Sequence, residues 1–108
     1  MKLKKIKKIV IGDTEFQIKW NKKESGGAFN YPNKNKKALI TIGIEDEKIN
    51  PIGVLNVIIH ELKEIIQVEQ RVRYDRQDEF KAYEFHYTHK EHTDLCSRLA
   101  GLLVQFYN

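Results

Sequence analysis

The alternation of hydrophobic and polar positions changes period once along this chain, near Pro51. Before that point the runs are short and strand-like. "KIVIG" and "TEFQIKW" are β-branched and aromatic stretches separated by the turn pair Gly12-Asp13, which predicts a β-hairpin. The segment "NKKESGGAFNYPNKNK" is polar, with Gly26-Gly27 and Pro32, and reads as a connection. In "KALITIGI", Leu39, Thr41 and Gly43 alternate with Ala38, Ile40, Ile42 and Ile44, so a third strand is expected with these two sets on opposite faces.

From Pro51 onward the period is helical. Asn50 suits an N-cap and Pro51 a first helical turn, so "NPIGVLNVIIHELKEIIQVEQRVRY" is expected to begin as a long helix. At about 100° per residue, Val54, Leu55, Ile58, Ile59, Leu62, Ile65 and Ile66 make one apolar stripe. Farther on, "FKAYEFHYTHKEH" alternates as an extended stretch, with Tyr83, Phe85, Tyr87 and His89 on one parity that faces inward. A second helix is expected over "EHTDLCSRLAGLLVQFY", with Leu95, Cys96, Leu99, Leu102, Leu103 and Phe106 at helical spacing. The predicted fold class is α+β, one domain over residues 1–108. A small N-terminal antiparallel or mixed sheet of three or four strands packs on the first helix and on a C-terminal helix.

Composition agrees with one soluble domain, since 108 residues with 41% hydrophobic and 31% charged side chains suffice for a single core. No stretch approaches the run of about 20 apolar residues that spans a bilayer. The apolar part of the N-terminus, Ile9 to Ile11, is too short for a signal sequence. With its single cysteine, Cys96, the chain is expected in the reducing cytoplasm and away from membranes.

Charge is unevenly placed. Residues 1–48 carry twelve lysines against six acidic residues, whereas residues 49–108 carry seven basic and nine acidic ones. No nucleic-acid motif accompanies the lysines, so they read as a solvated terminus or a protected strand edge and no nucleic-acid partner is expected.

The chemistry centres on "HELKE" inside "VIIHELKEII". His60 and Glu64 are four apart, so an imidazole and a carboxylate from successive turns point the same way and can share one metal ion. Glu61 lies about 100° round the helix, placed to reach a water on that ion rather than the ion itself. With one cysteine, any metal must be held by histidine and carboxylate. The later cluster "FHYTHKEH" offers a third ligand: His89 at the strand–helix junction is the first choice and His92 the second, while His86 reads as a surface residue.

A short sheet, the approach strand "ALITIGI", a helix carrying HE-x-x and a later ligand together resemble the zincin metallopeptidases, small single-domain bacterial and phage members above all. The resemblance runs from roughly Gly27 to Val104 and its one sharp motif is HELKE. Glu64 stands where the usual HExxH has its second histidine. The resemblance implies a zinc ion held by His60, Glu64 and His89, with the added carboxylate also admitting manganese or iron. It implies Glu61 as catalytic base in peptide hydrolysis, and an extended peptide substrate paired to a free edge at "KALITIGI". The alternative is a non-catalytic module that keeps a structural or vestigial ion and acts by binding a protein or nucleic-acid partner.

Overall fold

Gly12, with φ of 61°, turns the chain so that β1 (Lys8–Ile11) folds back antiparallel on β2 (Thr14–Asn21), with Ile9 opposite Phe16. Glycine takes this left-handed backbone at little cost, which is why the Gly12-Asp13 pair predicts the hairpin correctly. The structure is a computed structural model that describes residues 2–75 and 83–107. β3 (Gly27–Asn30) and β4 (Leu39–Gly43) complete a mixed sheet of order β1-β2-β4-β3, in which β4 runs parallel to β2 and antiparallel to β3.

Two features of this sheet depart from the sequence pattern. β3 lies inside the segment that reads as a connection, and the glycines disguise it. A Cβ at Gly27 would sit 2.8 Å from Val57 Cγ1 and 2.9 Å from the Thr41 carbonyl oxygen, so this glycine serves a close approach rather than a turn. The second departure follows from the first. With β3 paired to it, β4 is an inner strand, and the edge expected at "KALITIGI" belongs instead to β3.

The period-2 pattern buries one set of residues on the sheet: Ile9, Ile11, Phe16, Ile18, Ala38, Ile40, Ile42 and Ile44. Helix α1 (Pro51–Glu69) contributes Val54, Ile58, Leu62, Ile65 and Ile66 to the same core. Fully burying each large aliphatic side chain contributes about 1.5–3 kcal/mol, so this interface dominates the stability. The helix starts as expected, with the Asn50 side chain accepting from the Gly53 backbone N–H at 2.9 Å and Pro51 in the first turn.

α1 ends earlier than the pattern suggests. Arg71 has φ of 61°, its N–H donates to the Val68 carbonyl at 3.0 Å, and the Val72 N–H donates to the Gln67 carbonyl at 3.1 Å. This is a Schellman turn with the following apolar residue, Val72, buried. Arginine occupies the position where glycine usually announces such a stop, so the sequence gives no warning. The chain then reverses into β5 (Arg73–Asp75), which pairs antiparallel with β6 (Tyr83–Phe85) as a separate two-stranded sheet.

In β6, Tyr83, Glu84 and Phe85 are all exposed, as is Tyr87 beyond it, so the aromatic parity expected to face the core faces outward. Phe80, Lys81 and Ala82 of that expected stretch lie outside the described residues. Helix α2 (His89–Leu103) begins two residues before the predicted segment because Thr88 and Glu91 form a capping box, with Thr88 N–H donating to the Glu91 carboxylate at 2.9 Å. Leu95 is buried, and Leu99, Leu102 and Leu103 pack against the core, whereas Cys96 is exposed.

After α2, a single 3-10 turn over Val104–Phe106 drives Phe106 fully into the core, its ring 6.0 Å from that of Trp20 in an edge-to-face contact. The fold is α+β, a four-stranded mixed sheet with two helices, as predicted. Among the described residues no helix is long and apolar enough to cross a membrane.

Candidate functional site

α1 brings His60 and Glu64 together as their spacing predicts: His60 Nε2 lies 3.3 Å from Glu64 Oε2. Their surroundings differ. The His60 side chain is 71% exposed, while that of Glu64 is 15% exposed. A carboxylate so far removed from water needs a partner, and Glu64 Oε1 has one, accepting from Arg73 Nη1 at 2.7 Å.

Sequence reasoning missed Arg73. It stands nine residues beyond Glu64 in what reads as a continuing helix, and only the Schellman turn folds it back. Its guanidinium carbon lies 4.1 Å from the Tyr83 ring centroid and 5.8 Å from that of Phe29. One cation thereby ties α1 to β6 and to the edge strand β3.

Glu61 is buried, only 4% exposed, and its Oε2 has no hydrogen-bond partner among the described residues. It projects toward Gly27, where a Cβ would be 3.1 Å from Glu61 Cγ, so the edge strand passes directly over this side chain. Burial pushes the Glu61 carboxyl above its ordinary value; nearby His60 pulls it down, and Glu64 pushes it up. A carboxyl whose folded pKa is raised stabilises the fold at low pH and loses that contribution as pH rises through the folded value. Through this group the protein is expected to lose stability as pH rises above about 4.5, and Glu61→Gln to remove that contribution from the slope. Urea unfolding across this range checks it; an unchanged slope in the variant would show that Glu61 is not its source.

The histidines of the second cluster lie on or near α2. His89 is the first residue of that helix and is exposed, not carried inward on a strand as expected. Its ring is 6.5 Å from that of His92, which stacks on Tyr87 at 5.9 Å and lies 3.7 Å, Nε2 to Sγ, from Cys96. His92 is also exposed. His86 is at the surface as predicted, 3.3 Å from Glu84 Oε2. Tyr87 links the two clusters, because it also lines an open cleft of about 300 Å³ with His60, Lys63, Glu64, Gln67 and Phe85.

His60 Nε2 and a Glu64 carboxylate oxygen, which meet from successive turns, are donor types that a divalent cation takes, and near them Glu61 Oε2 has no partner among the described residues. Among the described residues, no three His, Cys, Asp or Glu side chains are gathered closely enough to form a complete ligand set. No protein-family model, curated protein or solved structure matches this chain.

Proposed function

We propose that the protein is a zincin-like, metal-dependent hydrolase acting on extended peptides. The observation that carries this reading is Glu61, a buried acid with an unpaired oxygen beside the His60–Glu64 pair and beneath an edge strand. A purely structural helix gains nothing from an acid held in that way.

His60 and Glu64 would supply two ligands to such an ion, and the third would have to come from α2, from His89 or from His92 on its next turn, neither of which is gathered with the pair in this structure. Zinc suits a nitrogen-and-oxygen set best, and manganese or iron suit its carboxylate content. When bound there, a divalent ion supplies Lewis acidity to an attacking water and to the scissile carbonyl. Glu61 Oε2 would accept a proton from the attacking water and return it to the leaving amine.

A peptide lies extended along β3, whose outer side has no partner strand among the described residues. This replaces β4 as the substrate edge and brings it closer to Glu61, because Gly27 belongs to β3.

The full chain is expected to bind about one divalent ion, and His60→Ala to abolish binding. Metal analysis after gel filtration reads the result; undiminished metal in the variant would rule out the helix pair as the site. One observation favours a second reading, a non-catalytic binding module. Arg73 already neutralises Glu64, as it would in a site that had lost its ion. Such a module would show no hydrolysis of any peptide with metal supplied.

A further inference from the structure

We propose that Arg73 is a latch that competes with a divalent cation for Glu64 and couples release of that carboxylate to the edge strand. The inference rests on the metal-dependent reading above and concerns its regulation. Glu64 divides its two oxygens: Oε1 is taken by Arg73 Nη1 at 2.7 Å, and Oε2 faces His60 Nε2 at 3.3 Å. The carboxylate is mostly buried, so it must be neutralised with or without a metal. In the structure the guanidinium does this.

An ion reaching His60 and Glu64 introduces a second cation to the same carboxylate. The two positive charges repel in a partly desolvated setting where screening is weak. Either Glu64 is shared and the ion is bound weakly, or Arg73 withdraws. Withdrawal is not local. Arg73 rests on Tyr83 of β6 and approaches Phe29 of β3, so its movement alters contacts on the very strand along which a peptide would lie. By linkage, whatever displaces Arg73 from those rings favours metal binding by the same factor as metal favours its displacement.

The test is zinc affinity of the full chain, read by competition with a chromophoric chelator, for the parent, Arg73→Met, Arg73→Lys and His60→Ala. Methionine keeps an apolar stem against the two rings while removing charge and donors. Arg73→Gln retains a neutral donor to Glu64 and stands in if the methionine variant does not fold. Arg73→Met is expected to bind zinc at least about tenfold more tightly than the parent, a coupling of ordinary size for competing ligands. Arg73→Lys, which keeps the charge, is expected to stay near the parent. Binding that appears only once Arg73 is replaced supports the latch equally.

Equal or weaker zinc binding in Arg73→Met, with binding still lost in His60→Ala, overturns the latch alone and makes Arg73 a positioning residue for Glu64. Zinc binding that survives His60→Ala overturns the reading of the site itself. Absence of binding in the parent and in every Arg73 variant overturns both.

Discussion

Glu61→Gln is expected to lower peptide hydrolysis by at least about a hundredfold while zinc content stays near that of the parent. The substitution preserves shape and volume, so the close passage of β3 over this side chain at Gly27 is undisturbed. It removes the one property the proposed chemistry requires there, an oxygen that accepts a proton. The same change removes a group whose charged form burial disfavours, so the variant should lose less stability than the parent as pH rises. Loss of activity with retained fold and retained metal separates a proton acceptor from a structural residue. Loss of metal in Glu61→Gln would instead make Glu61 a ligand and refute the roles assigned by helical angle.

The largest effect on stability is expected at Phe106. Phe106→Ala should cost about 3–5 kcal/mol, the range for truncating a fully buried aromatic side chain. The segment around Phe106 joins three parts of the chain. The Phe106 ring packs edge-to-face on Trp20 of β2, and Trp20 Nε1 donates to the Ile6 carbonyl at 2.9 Å. The Phe106 carbonyl accepts from the Lys4 N–H at 2.6 Å, and Leu3 bridges to Tyr107. A cavity at this position undermines the packing of the segment before β1 and of the 3-10 turn together, so little collapse can repair it. Urea unfolding at fixed pH measures the loss; a change below about 1 kcal/mol would mean that the site refills readily.

How much of this was legible in the sequence depended on whether the deciding interaction was local. The β1–β2 hairpin and the start of α1 were read correctly because Gly12-Asp13 and Asn50-Pro51 act within a few residues of themselves. The alternation in "KALITIGI" also placed Ala38, Ile40, Ile42 and Ile44 together on what proved to be the buried face. β3 was missed because Gly27 answers to Val57 and Thr41, distant in sequence, and its composition imitates a loop. The end of α1 was missed because a non-glycine residue, Arg71, adopts the left-handed conformation.

The same division runs through the site. His60 and Glu64 meet because four residues make one helical turn, which any reading of the chain can recover. Their placement near an edge strand, and the ion pair with Arg73, depend on how distant segments fold back. Glu64 is held by a guanidinium, and Glu61 is left with an oxygen that nothing among the described residues satisfies.

The most direct test is an anomalous difference map from a crystal of the full chain soaked in zinc. The account predicts one strong peak about 2.0–2.2 Å from His60 Nε2 and from a Glu64 oxygen, with a histidine of α2, His89 or His92, completing the protein ligands. Glu61 should lie beside the peak without touching it, and the Arg73 guanidinium should have moved away from Glu64. A map with no peak at His60, or with its only peak between His92 and Cys96, would contradict it.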